Sequence, residues 1–248
     1  MTRRLVMIRH GQTHYNATRR MQGQLDTELS DLGREQARAA GQMLVDAGIS
    51  RILSSDLARA YDTACIIADI LGVEVEKDAR LRETHLGQWQ AKSHDEIDVE
   101  LPGARAIWRH DATWAPPEGE SRVQVAQRAR PVIDDLMADY DGWDGHAVLV
   151  VAHGGTISAL TSNLLGLDVS MYPLLSGLKN GCRSQLTARP RFQPGSFDAL
   201  DDFQVRANSI AGDGAVGDSG AAKKIRTPEF TPETVGDAQW YLDGWNMG

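Results

Sequence analysis

The chain is poor in cysteine, with two, Cys65 and Cys182, in 248 residues. Two thiols cannot make a disulfide framework, and their spacing matches no metal knuckle. The expectation is a cytoplasmic protein with reduced thiols. Long hydrophobic runs are also missing, since no stretch approaches the roughly 18 apolar residues that cross a bilayer. The run Leu5-Val6-Met7-Ile8 is too short for the ~7–15-residue core of a secretion signal. Positive charge is scarce as well: 26 Lys+Arg stand against 34 Asp+Glu, a net charge of −8. Neither a membrane nor nucleic acid is expected as a partner, because phosphate backbones are held by clustered Lys and Arg. An anionic small molecule would need a local group of cations working against the overall field. The seven histidines show no ligand spacing such as His-Glu-x-x-His, so no metal and no other cofactor is expected.

What is present suits one α/β domain spanning residues 1–248: 42% of residues are hydrophobic and 24% charged. Leu5 to Ile8 reads as a buried strand stopped by Arg9-His10-Gly11. Ser30 is the expected N-cap of a helix from Asp31 to about Ala47, closed by Gly48. Arg51 to Ser54 is a short strand. Ser55 or Asp56 then caps a helix that keeps three- and four-residue apolar steps from Leu57 to Leu71 and ends at Gly72. From Glu83 to Glu120 the periodicity fails. That predicts a long irregular connection, and residues 84–120 are assigned as a lid. Ser121 to Tyr140 is helical again, with Pro131 predicting a kink or two short helices. Ala147 to Val151 is a second apolar strand, running into Ala152-His153-Gly154-Gly155, and Thr156 to Leu165 is helical. Strand and helix patterns alternate, which favours a mostly parallel central sheet with helices on both faces. Residues 211–220 are Gly-rich and read as a surface loop. The aromatic tail Trp240 to Trp245 is either a closing strand or a cover for the pocket.

Both strong strands end in His-Gly, at the end of a parallel sheet where ligands bind. At the first, His10 beside Arg9 suits attack on a phosphoryl group. A neighbouring guanidinium keeps the imidazole neutral and can hold two phosphate oxygens. Gly11 is assigned a close approach of substrate to backbone. Arg59 falls in the first turn of a helix after a strand, where anions bind, although a solvated Arg is the bland alternative. Glu83 can protonate a departing alkoxide and later deprotonate water, provided it starts protonated. The bland alternative is an Arg82–Glu83 surface pair. His153 can donate to phosphoryl oxygens as charge builds in the transition state. The rings of His10 and His153 are expected to converge, roughly parallel, on a point flanked by two arginines.

With Asn16, Gln22-Gly23, Asp26-Thr27, Leu29-Ser30, Gly33, Gln36-Ala37, Ser54 to Arg59, Thr63-Ala64, Arg82-Glu83 and His153 to Thr156, these motifs resemble the histidine phosphatase superfamily. That superfamily also holds the cofactor-dependent phosphoglycerate mutases. The resemblance runs from Leu5 to Gly166 and implies a phosphohistidine on His10 with Glu83 as proton donor. Arg9, Arg59 and His153 would hold the phosphate, and Asn16, Gln22, Gly23 and Gly154 would line the site. It implies no metal, and it suggests a homodimer. The runs Arg19 to Ser30, Arg80 to Gln90 and Asp111 to Pro116 resemble more narrowly the phosphatases of glucosyl-3-phosphoglycerate, a small glycosylated phosphorylated substrate. Trp89, Trp108 and Trp114 would then be either a sugar platform or lid packing. The alternatives on the same fold are a broad-specificity acid phosphatase and a phosphoglycerate mutase. Arg82-Glu83-Thr84-His85-Leu86-Gly87 lacks the Asn-Glu-Arg-His-Tyr-Gly form associated with mutases. A non-catalytic phosphoester-binding protein and a His-rich metallohydrolase are the rivals from other classes. About residues 198–237 the chain departs from the family with an atypical C-terminal insertion.

Overall fold

The computed structural model describes residues 2–191, 229–232 and 234–248. The Gly-rich 211–220 stretch and most of the 198–237 insertion lie outside the described residues. The sheet has six strands: β1 (Arg3–Arg9), β2 (Ile49–Ser54), β3 (Val75–Lys77), β4 (Ala147–Ala152), β5 (Arg183–Pro190) and β6 (Ala238–Met247), in the order β3-β2-β4-β1-β5-β6. The first four are parallel, and β5 and β6 close the sheet antiparallel at one edge. The aromatic tail is therefore a closing strand, with Trp240 buried in the core.

Alternation along the strands builds the two layers. On β1, Leu5 and Met7 face one layer while Val6 and Ile8 face the other, and β4 follows in register with Val148 and Val150 against Leu149 and Val151. The first layer is covered by α6 (Arg122–Asp139) and α7 (Gly154–Leu164). The second is covered by α2 (Asp31–Gln42) and α3 (Ala58–Leu71). Both strands are buried on both faces, as continuous apolar runs require.

Several elements differ from expectation for local reasons. Helix α2 ends at Gln42, and turns carry the chain to Gly48 at φ +67°. Neither Ser55 nor Asp56 caps α3. Its N-cap is Leu57, and Asp26 from a distant loop accepts from the Ala58 N–H at 2.7 Å. Pro131 does not split α6, which is one helix. Pro131 and Gln127, whose carbonyl lacks the usual donor, both lie on the exposed face of the helix, where solvent can reach that carbonyl. Helix α7 starts at Gly154, so His153 is itself the N-cap. The expected irregular connection holds two short helices, α4 (His94–Glu100) and α5 (Ala104–His110), after α1 (His14–Ala17) near the first loop.

Candidate active site

The pairing of β1 with β4 aligns Arg9 with Ala152, so the residues that follow, His10 and His153, emerge side by side. The connections from these strands leave toward opposite faces, and the crevice between them is the usual ligand position in such sheets. His10 and His153 are both buried, with ring centres 5.1 Å apart. The rings meet edge-on at 62° rather than parallel, because separate partners fix each one. His10 Nδ1 lies 2.7 Å from the Gly11 carbonyl. A carbonyl only accepts, so the ring proton sits on Nδ1 and the Nε2 lone pair faces outward. There it accepts from Arg59 Nε at 3.2 Å. Burial, then Arg59 and Arg9, hold the His10 pKa well below 6.5, against the opposing Gly11 hydrogen bond. The same burial and the same arginines lower that of His153.

Arg59 is not the solvated side chain of the bland alternative, being 0% exposed. It donates to the Leu25 and Gly23 carbonyls at 2.8 Å each, and burial pushes its pKa down to about 10, which leaves it a cation. Arg9 donates to the Leu178 carbonyl at 2.6 Å, while its Nε is buried with no partner among the described residues. His153 Nδ1 is likewise unpartnered there. Its Nε2 meets the Ser55 hydroxyl at 2.9 Å. Two buried polar atoms without partners beside one imidazole mark a place for an anion.

Glu83 does not pair with Arg82, which instead forms a two-pronged bridge to Asp56 at 2.6–2.7 Å. The Glu83 carboxylate sits over the start of α7, accepting from the N–H groups of Thr84 (2.8 Å), Gly155 and Thr156 (3.1 Å each). A Cβ on Gly155 would lie 2.5 Å from Glu83 Oε1, so this glycine is what lets the carboxylate settle there. Gln22 Oε1 accepts from the hydroxyls of Thr13 and Thr27 (2.9 and 2.6 Å), which turns its amide N–H groups toward the cavity. Asn16 is held similarly, its Oδ1 accepting from the Thr13 N–H and Asn180 Nδ2 at 3.1 Å each.

A cavity of about 450 Å³ opens here, lined by Arg9, His10, Asn16, Gln22, Gly23, Arg59, Glu83 and Gly154 among others. All the candidate catalytic and binding residues except His153 line this cavity, and the His153 ring meets His10 edge-on beside it. Gly11 serves differently than expected. A Cβ on it would lie 2.1 Å from the Gly33 carbonyl, so it admits helix α2 rather than substrate. Of the three tryptophans, Trp89 is 1% exposed and packs against Trp108 and Trp114 as a small core, and only Trp108 reaches the cavity.

Sequence reasoning missed three residues. Asn180 Nδ2 donates to the His10 and Gly11 carbonyls at 3.0 and 3.2 Å, steadying the carbonyl that orients His10. Arg128 donates to the carbonyls of Arg80, Arg82 and Glu83 and holds the Glu83 loop. Ser55 orients His153 instead of capping a helix. Position directly after the second strand was the available signal for Ser55; nothing local marked the other two.

Residues 5–194 match the model of the histidine phosphatase superfamily (branch 1). The chain is 53% identical over 201 residues to a glucosyl-3-phosphoglycerate phosphatase of Mycolicibacterium vanbaalenii, covering 79% of this chain and 89% of that one. It is 37% identical over 167 residues to a probable phosphoglycerate mutase GpmB of Erwinia tasmaniensis, covering 67% and 76%. A mycobacterial glucosyl-3-phosphoglycerate phosphatase solved in complex with VO3 superposes with a TM-score of 0.79 at 43% identity, covering 99% of this chain and all of that one. The chain belongs to the histidine phosphatase superfamily.

Proposed function

We propose that this protein hydrolyses a phosphate monoester, glucosyl-3-phosphoglycerate, to glucosylglycerate and phosphate through a phosphohistidine on His10. The observation that carries the reading is the state of His10: neutral, its one proton fixed on Nδ1 by Gly11, and Nε2 presented between two arginines. Histidine is a nucleophile only in that form.

Nε2 attacks phosphorus in line, and the bond from phosphorus to the ester oxygen breaks. Arg9 and Arg59 hold the equatorial oxygens, and His153 donates through Nδ1 while its Nε2 accepts from the Ser55 hydroxyl. Glu83, its carboxylate held by three backbone N–H groups, takes a proton from the substrate's phosphate monoanion and passes it to the leaving oxygen as that bond breaks. In the second step Glu83 takes a proton from water as that water attacks phosphorus, and the bond to Nε2 breaks. Phosphate monoesters need up to about 10²¹-fold acceleration, so splitting the reaction in two has clear value. No step draws on a metal or cofactor. Asn16, Gln22, Gly23 and Gly154 line the pocket for the substrate.

The substrate assignment is supported by the names of the relatives at 53% identity. A similar structure was also solved with inorganic phosphate. The protein is assigned to the cytoplasm, as a homodimer on the family's pattern. Among the described residues no helix is long and apolar enough to cross a membrane.

A phosphate-release screen tests the reading, comparing glucosyl-3-phosphoglycerate with 3-phosphoglycerate and common sugar phosphates. The glycosylated substrate is expected to give the highest kcat/KM. Isomerisation of monophosphoglycerate outrunning phosphate release would favour a mutase instead, the reading that the GpmB similarity supports.

A further inference from the structure

The cavity holds more positive charge than one phosphoryl group calls for. Arg9, Arg19, Arg20, Arg59 and Arg122 line it, and Glu83 is its one carboxylate among the described residues. This occurs in a chain of net charge −8. Like charges gathered in a cleft cost free energy unless a ligand offsets them. Three of the five guanidiniums are accounted for. Arg9 and Arg59 flank His10, and Arg20 donates to the Ala91 carbonyl and the Glu96 carboxylate at 2.7 and 3.1 Å.

The other two have neither a hydrogen-bonded nor an ionic partner among the described residues. Arg122 is half-buried with its guanidinium 5.6 Å from the centre of the Trp108 ring. Burial lowers its pKa, and no carboxylate opposes that. Arg19 is held at φ +55°, in the left-handed region. That turn ends α1, with the Arg19 and Arg20 N–H groups donating to the Asn16 and Tyr15 carbonyls at 3.2 and 3.0 Å, and it leaves the Arg19 side chain exposed beside the cavity.

We propose that Arg122 and Arg19 form a second anion subsite that receives a carboxylate on the phosphorylated substrate. The inference rests on the reading that the phosphoryl group sits against His10. A phosphoglycerate unit supplies both charges, the phosphate for Arg9 and Arg59 and the carboxylate for the second pair. A guanidinium fork matches a planar carboxylate with two parallel hydrogen bonds. Arg122 lies over the Trp108 ring at 5.6 Å from its centre, and no partner among the described residues takes its N–H groups. A neutral sugar monophosphate would leave both cations unmatched, so the subsite selects carboxylated phosphate esters over plain sugar phosphates.

The test compares kcat/KM for glucosyl-3-phosphoglycerate and for its analogue with the carboxylate reduced to hydroxymethyl. The proteins are the wild type, Arg122→Gln, Arg122→Lys and Arg19→Gln. The wild type should favour the carboxylate by about 10- to 100-fold, the range of a charged hydrogen bond. In Arg122→Gln that ratio should drop about tenfold or more, chiefly through KM. Arg19→Gln should lower it less, and Arg122→Lys should give an intermediate ratio. Inhibition by inorganic phosphate, which fills only the His10 end, should persist in Arg122→Gln and reports on folding. Should that variant fail to fold, Arg19→Gln, on a different segment, still reads the ratio. A wild-type ratio near one, or a ratio unmoved in the Gln variants, overturns the subsite. A bisphosphorylated analogue outperforming the carboxylate substrate overturns its assignment to carboxylate. Activity surviving His10→Ala would instead overturn the phosphohistidine reading, independently of the ratios.

Discussion

At His10 a single hydrogen bond to Gly11 decides both which nitrogen is the nucleophile and which way it points. Glu83 is placed just as locally, by three backbone N–H groups at the start of a helix. Replacing its acid with an amide in Glu83→Gln keeps the shape and removes the proton transfer. Steady-state kinetics should show kcat down by about 10²- to 10⁴-fold with KM little changed. The two buried imidazoles also make stability depend on pH. Both have native pKa values well below 6.5, their ordinary value in the unfolded chain. Below pH 6.5 the unfolded state therefore binds protons that the native state refuses. Their contribution is fully present above that pH and is lost as pH falls toward the native values. Each imidazole adds up to about 1.4 kcal/mol per pH unit to the slope. Chemical denaturation at pH 7.5 and 5.5 should show the loss, and a His153→Gln variant should show a shallower one.

At the scale of elements, the loop after β1 is clamped between neighbours that admit no side chain. Gly33 on α2 would place a Cβ 2.1 Å from the Gln12 carbonyl oxygen, and neither backbone segment can yield. Gly33→Ala should destabilise the fold by about 1–3 kcal/mol or more, measured by urea unfolding, and lower activity with it. The elements that carry the site were legible in the sequence because buried parallel strands are continuous apolar runs. β1 and β4 stop at Arg9-His10 and at His153, and their register places the two imidazoles together. Helices α4 and α5 were not legible, being only seven residues each. A faint signal existed for α4, since Ser93 and Glu96 form a capping box at its start. The Asp26 cap on α3 and the Asn180 contacts join segments distant in sequence, and no local pattern encodes such pairs. The edge-on meeting of the rings was beyond reach for the same reason, because Ser55 sets one ring and Gly11 the other.

For the whole molecule, the positive cavity sits within a chain of net charge −8. Its attraction for an anion is local and is partly opposed at long range by the acidic surface. Salt screens both effects, and the short-range one matters more inside the cleft. Raising the ionic strength from about 0.05 to 0.5 M, over which the Debye length falls severalfold, should lower kcat/KM through KM while kcat holds. Stopped-flow or initial-rate kinetics over a salt series would check this. The layered sheet supplies the rest, fixing the ends of β1 and β4 side by side so that their two imidazoles meet at one crevice.

The central claim, that phosphate passes through His10 Nε2, is tested most directly by rapid acid-free quenching with substrate labelled on the phosphoryl group. Peptide mapping and ³¹P NMR of the trapped protein would follow. The expected result is one label, stable to alkali and labile to acid, on Nε2 of His10 and absent from His10→Ala. An acid-stable label, a label on any other residue, or turnover with no label at all would contradict it.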